Sequence, residues 1–340
     1  MGSLLVDACR MKSVERTPVW FMRQAGRYLP SYRKLREGRG ILDIARDPEL
    51  ASDVTVDPVR QLGVDAAVVF ADIMLPLEGI GVKFRIEENV GPVVLNPVRS
   101  AADAEALGDF DAEAQVGYVL ETVRKAVEKL DGIPLVGFSG APFTLAGYLI
   151  EGAPSREFHL TKNLMYTQRE TWDRLMGRLT DLVVDYLRAQ VRSGASVIQL
   201  FDSWAGCLSP TDYKAFVKPY TSRIFSAVRG TAPAIHFCAD SAALLEEFAD
   251  TGCDVLSVDW RVPIDTVWER TGGKTAVQGN LEPAAVVPGG RLLDERVSDV
   301  LRRARGRRGH VFNLGHGVLR ETPPENLKRV VELVGKETSG

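Results

Sequence analysis

Gly194-Ala-Ser-Val-Ile-Gln-Leu-Phe-Asp-Ser-Trp204 is the stretch that decides the fold. Its glycine follows a long amphipathic pattern, Thr167–Ser193, and stands where a helix stops. Ser196–Phe201 is then a short, mostly apolar run, as expected for a strand covered on both faces. An acid and a hydroxyl, Asp202 and Ser203, follow at once. Working outward, the same order of helix, stop glycine and apolar run recurs along the chain. The predicted strands are Thr17–Met22, Val64–Phe70, Ile133–Phe138, Ser196–Phe201, Ala234–Cys238, Val255–Trp260, Thr275–Gly279 and His310–Leu314. Stop glycines stand before several of them: Gly63, Gly132, Gly194, Gly273 and Gly309. Helical periodicity also marks Glu113–Leu130, Ser241–Asp250 and Val297–Arg305.

Alternating strands and helices imply a parallel sheet. Eight such units favour closure, so the expected fold is α/β, a single distorted TIM-type (β/α)8 barrel over residues 1–340. A doubly wound fold is the alternative, but no GxGxxG follows an early strand. Ile80–Pro97 reads as a β-hairpin inserted in a βα loop, and the uneven strand spacing makes the barrel irregular.

Composition narrows the function. A chain of 340 residues, 45% hydrophobic and 26% charged, is ordinary for a globular protein that buries its own core. The first residues carry charges throughout and offer no apolar run fit for a leader, and nothing resembles a membrane span. Cys9, Cys207, Cys238 and Cys253 form no CxxC, which points to reduced thiols and a cytoplasmic setting. With a net charge of −3, nothing global draws the protein to nucleic acid or membrane. Locally, however, Arg10, Lys12, Arg16, Arg23, Arg27, Arg33, Lys34, Arg36 and Arg39 face only Glu15 and Glu37 in that stretch. The stretch is either a solvated basic helix or a receptor for an anionic ligand.

In a barrel of this type, chemistry collects at the carboxyl ends of the strands. Those ends carry Arg23 and Arg27, Asp72, Ser139, Asp202 and Ser203, His236 and Cys238, Asp259, Asn280, and His316. Each is either a cap or rim hydrogen bond, or part of a polar pocket. Arg23 and Arg27 are planar forks suited to carboxylate or phosphate. Asp72 is a helix N-cap, a general base or a cation stabiliser. His316 lies between two glycines, in the manner of an exposed tip, whereas His159 and His310 have no such setting. His236 and Cys238 share one strand face and make half of a zinc site, with His316 as a third ligand. Against that reading, cysteine is among the commonest buried small residues.

Two longer motifs carry a resemblance. Pro18-Val-Trp-Phe-Met-Arg-Gln-Ala-Gly-Arg27 and Gly137-Phe-Ser-Gly-Ala-Pro-Phe-Thr-Leu-Ala-Gly-Tyr-Leu-Ile-Glu-Gly152 resemble the two signatures of the uroporphyrinogen decarboxylase family. Phe70-Ala-Asp-Ile73, Gln199-Leu-Phe-Asp-Ser-Trp204, Val258-Asp-Trp260, Gln278-Gly-Asn-Leu281 and Asn313-Leu-Gly-His-Gly317 match in the family's order. The resemblance implies a distorted barrel, usually a homodimer, that removes four acetate carboxyls from uroporphyrinogen without cofactor or metal. It places functional positions on Arg23, Arg27, Asp72, Tyr148, Ser203 and His316, with Arg36 and Phe201 as pocket neighbours. Asp72, Arg23, Arg27, Tyr148 and His316 are the catalytic expectation, and proton donation rests on Arg27 or Arg23 with a bound water. Cys238 departs from the His-Phe-Gly of many bacterial members, which leaves the metal question open. Two rivals stand beside this reading. Cobamide-dependent methyltransferases resemble the family but use His-x-Cys and a later cysteine on zinc. A tetrapyrrole carrier would need the arginines and not Asp72, Tyr148 and His316.

Overall fold

The computed structural model describes residues 3–87 and 90–339. Its main sheet has seven parallel strands: β1 (Ala67–Val68), β4 (Leu135–Gly140), β5 (Val197–Phe201), β6 (Ala234–Cys238), β7 (Val255–Val258), β8 (Ala276–Leu281) and β9 (His310–Leu314). They lie side by side in that order, with an antiparallel hairpin of β2 (Phe84–Glu87) and β3 (Gly91–Val94) outside the sheet. The hairpin falls within the predicted Ile80–Pro97; Glu88 and Asn89 lie outside the described residues.

Among the described residues, the predicted strand Thr17–Met22 makes only one bridge, Val19 to Phe312. The physical reason is visible in its donors. Pro18 has no N–H to offer. The Val19 N–H goes to the Asp65 carboxylate, Phe21 to the Gln24 side chain and Met22 to Asn313. Side chains thus take the bonds a ladder needs. The segment still closes the barrel: Phe312 N–H reaches Pro18 O at 2.8 Å on one side, and Asp65 N–H reaches Val19 O at 2.8 Å on the other. This weak eighth stave is what distorts the barrel.

β4, β6 and β7 are buried along their whole length and β5 everywhere but at its last residue, Phe201, as their continuous apolar runs require. Around them pack amphipathic helices whose ends follow local chemistry. Asp47 caps Pro48–Leu62 by accepting from Glu49 and Leu50, and Gly63 ends it in the left-handed region. Three predicted helices differ in extent, the first being Val297–Arg305, which is the later part of Gly290–Ala304. Thr167–Ser193 is Arg169–Arg192 preceded by a separate helix, His159–Thr167, because Gln168 leaves helical geometry. Ser241–Asp250 splits into a 3₁₀ turn, Ser241–Ala243, and the short helix Leu245–Ala249.

Candidate active site

The carboxyl ends of the strands open into one cavity of about 1150 Å³. Arg23, Arg27, Arg36, Asp72, Tyr148, Phe201, Ser203 and His316 all line it, so the structure brings together the eight positions that the family resemblance implied. The floor is aromatic. Phe138 of β4, Phe201 of β5 and Phe237 of β6 meet edge to face, with ring centroids 5.5 and 5.6 Å apart along the row. His316 continues the row against Phe237 at 5.8 Å. Parallel register sets this up, since Phe201 pairs with Phe237 across β5 and β6.

Asp72 follows β1. Its Oδ1 accepts the Met74 N–H at 2.9 Å, a local turn, while the next helix, Leu75–Gly79, begins without a side-chain cap. The N-cap alternative is therefore met only in part. No cation lies within ion-pair distance of Asp72 among the described residues. Burial raises its pKa, opposed by the Met74 N–H and the positive charge of Arg23.

Tyr148 comes from the helix Pro142–Glu151, which starts directly after β4, and its ring packs at 5.9 Å on Trp204. Burial, then the charge of Asp72, pushes its phenol up to about 12, against the pull of Arg23. His316 is held down to about 4 by burial and then by Arg23, so its imidazole is neutral at pH 7. The two glycines around it serve close approach rather than exposure. A Cβ on Gly315 would stand 2.5 Å from the Trp260 nitrogen, and one on Gly317 would stand 2.5 Å from Arg23 Cδ. The histidine is wedged between β7's end and the arginine.

The basic stretch divides. Arg23, Arg27 and Arg36 line the cavity. Arg16 instead pairs with Asp65, Lys12 with Asp7, and Arg33 donates to the Arg27 and Tyr28 carbonyls. Arg39 is exposed, and its guanidinium donates to Leu35 O at the end of the preceding helix, Pro30–Leu35. Sequence reasoning missed three further arginines at the cavity: Arg46, Arg85 and Arg320. Each sits beside an acid: Glu78, Glu87 and Glu321 respectively. It also missed Phe138 and Phe237, which continuous apolar runs such as β4 and β6 do not mark as facing inward.

The remaining strand-end groups do not reach the cavity. Ser139 donates to Gly140 O, and Asn280 donates to Asp259 O and Val262 O. Asp259 is buried and accepts from Asp240 N–H, Arg261 N–H and the Arg261 guanidinium. Asp202 is sealed behind the floor with His236, whose Nε2 stands 3.6 Å away. The His236 ring lies between Phe225 and Phe248 on the helices outside the barrel, away from His316. The half zinc site of His236 and Cys238 thus does not meet the third ligand foreseen for it. No group of three His, Cys, Asp or Glu suited to a metal occurs among the described residues.

Comparison with known proteins adds to this geometry. The sequence model of uroporphyrinogen decarboxylase (URO-D) matches residues 2–337. The chain belongs to the uroporphyrinogen decarboxylase family. A uroporphyrinogen decarboxylase of Chloroflexus aurantiacus is 49% identical over 339 residues, covering 98% of this chain and 96% of that one. That of Carboxydothermus hydrogenoformans is 45% identical over 341 residues, covering 100% and 97%. Among solved structures, a methyltransferase from Methanosarcina mazei superposes with a TM-score of 0.80 at 21% identity, covering 98% of this chain and 97% of that one. At that identity the likeness speaks for the barrel alone.

Proposed function

We propose that this chain decarboxylates the four acetate arms of uroporphyrinogen III, giving coproporphyrinogen III and CO2 in haem and tetrapyrrole synthesis. The observation that carries the reading is Asp72: a carboxylate with no ion-pair partner among the described residues, in an arginine-mouthed cavity, in a chain of this family. The substrate has eight carboxylates around four pyrrole N–H groups. Arg23, Arg27 and Arg36 offer forks to the carboxylates. Asp72 offers an acceptor to the central N–H groups. Phe201 and its aromatic neighbours cover the ring faces.

The chemistry follows from the same groups. Protonation of a pyrrole ring carbon makes a cation, and the C–C bond to CO2 then breaks with its electron pair entering the ring. Reprotonation at the released methylene and loss of the ring proton leave a methyl group, so each arm consumes one proton and yields one CO2. The substrate is its own electron sink, the role a cofactor fills elsewhere, and we read the reaction as needing neither cofactor nor metal. Asp72 stabilises the cation, which is strongest where water is excluded. A protonated Tyr148, a neutral His316 and Ser203 hold acetate or propionate arms by hydrogen bonds. Arg23 or Arg27, through a bound water, delivers the proton.

We also read the enzyme as a cytoplasmic homodimer acting on a small-molecule substrate. The family resemblance supports the dimer. Four unpaired cysteines suit a reducing compartment, and no helix among the described residues is long and apolar enough to cross a membrane. The test is anaerobic incubation with chemically reduced uroporphyrinogen, with and without a strong chelator. The expected result is stepwise conversion to the tetracarboxylate with CO2 released, unchanged by the chelator. An octacarboxylate that binds and stays intact would leave a tetrapyrrole carrier, and loss of turnover with the chelator would restore the metal reading.

A further inference from the structure

Asn313 was singled out only as the first residue of the motif that ends in His316 and Gly317, and no step of the reaction uses it. It is fully buried, near the carboxyl end of β9. Its Oδ1 accepts two backbone donors, Met22 N–H at 3.1 Å and Leu314 N–H at 2.8 Å. Its Nδ2 has no partner among the described residues. The side chain is therefore held at this position as an acceptor, not as a donor. The two donors belong to the two segments that carry cavity residues: Met22 precedes Arg23, and Leu314 is two residues before His316.

Arg23 itself sits at φ 59, a left-handed backbone that side chains rarely adopt and that must be held by its surroundings. Both backbone groups of the preceding residue are fixed from β9's end. Met22 N–H goes to Asn313, and Met22 O accepts Val318 N–H at 2.9 Å. Gly317 leaves room for the arginine stem, and the turn Phe21–Gln24 closes below it. No acceptor on the protein meets the Arg23 guanidinium among the described residues, so nothing at the far end of the side chain fixes it.

We infer that Asn313 is a positioning residue: its buried carboxamide oxygen clamps the segment of Arg23 to the segment of His316 and so holds the Arg23 guanidinium in the cavity. The inference rests on the decarboxylase reading for what Arg23 does once it is placed. Placement itself is a separate, measurable matter.

Three variants test it. Asn313→Leu keeps the shape and removes the acceptor; Asn313→Asp keeps the acceptor; Arg23→Lys is combined with Asn313→Leu. Asn313→Leu should lower kcat/KM roughly tenfold or more, and Asn313→Asp should stay within about threefold of the parent. Because Asn313 acts through Arg23, adding Arg23→Lys to Asn313→Leu should cost less than about threefold beyond Asn313→Leu alone. A crystal structure of Asn313→Leu should show residue 23 out of the left-handed region and its guanidinium displaced. If Asn313→Leu does not fold, Asn313→Ser, whose shorter hydroxyl falls short of Met22, takes its place. Full additivity of the two changes, or Arg23 unmoved in the variant structure, would overturn the clamp. A parent enzyme that releases no CO2 would overturn the functional reading instead, and the variant structure would still decide the clamp.

Discussion

Asp72 and Asp259 are two carboxylates at equivalent places, each just past a barrel strand, and the structure treats them oppositely. Asp259 accepts from two backbone N–H groups and from Arg261, and it does not reach the cavity. Asp72 accepts one backbone N–H and faces the cavity with its second oxygen unmatched by any protein donor among the described residues. The first has its acceptor capacity filled by the fold; the second keeps capacity for something the fold does not supply. The arginines divide the same way, with Arg16 paired to Asp65 and Arg23 meeting no acceptor among the described residues. Unfilled valence facing a cavity, rather than residue type or position after a strand, is what separates a binding group from a structural one.

The comparison sharpens first at the arginines. Arg23→Lys keeps the charge and loses the planar fork. Hydrogen bonds to charged groups contribute about 1.5–3 kcal/mol, so kcat/KM should fall roughly 10- to 150-fold with the unfolding temperature little changed. Arg39→Lys, on the exposed side, should change neither. A fall in stability with activity spared would make Arg23 a structural residue.

Asp259→Asn should show the reverse pattern. An amide presents N–H where Asp240 and Arg261 also present donors, leaving buried groups unmatched at a cost of about 1–3 kcal/mol. A lower midpoint in urea, with kcat in the folded protein within a few-fold of the parent, is the expected result. A catalytic defect without a stability defect would break the comparison.

The smallest effect concerns pH. His316 titrates near 6.5 when unfolded and is depressed to about 4 in the fold. Between those values the unfolded chain binds a proton that the folded one does not. Stability is therefore lost as pH falls through this window, and nothing changes above it. NMR of the imidazole should give a titration near 4 in the free enzyme, with kcat/KM showing no inflection from His316 near 6.5. A midpoint near 6.5 would mean that the ring is solvated and outside the site.

Much of this was legible in the sequence because it is local. Apolar runs located β4 to β9, those of β4, β5, β8 and β9 behind stop glycines, and some of the polar residues at strand ends located the cavity. Three things were not legible, each for a reason of distance. Thr17–Met22 reads as a strand, but its N–H groups are claimed by Asp65, Gln24 and Asn313, the first and last far away in the chain. His236 and Cys238 read as cavity ligands, but sequence alternation does not say which strand face turns inward, and the histidine packs on Phe225 and Phe248. Arg46 and Arg85 lie beyond the basic stretch and join the cavity only through the fold.

The most direct test is the turnover of Asp72→Asn at saturating substrate, measured beside its unfolding temperature. Asparagine keeps the shape and the bond to Met74 N–H and removes the charge. Losing one preorganised electrostatic group typically costs about 2.7–4 kcal/mol of transition-state stabilisation, so kcat should fall roughly a hundredfold or more in a protein that unfolds where the parent does. Near-normal turnover would contradict the account and leave Asp72 with no role beyond its local turn.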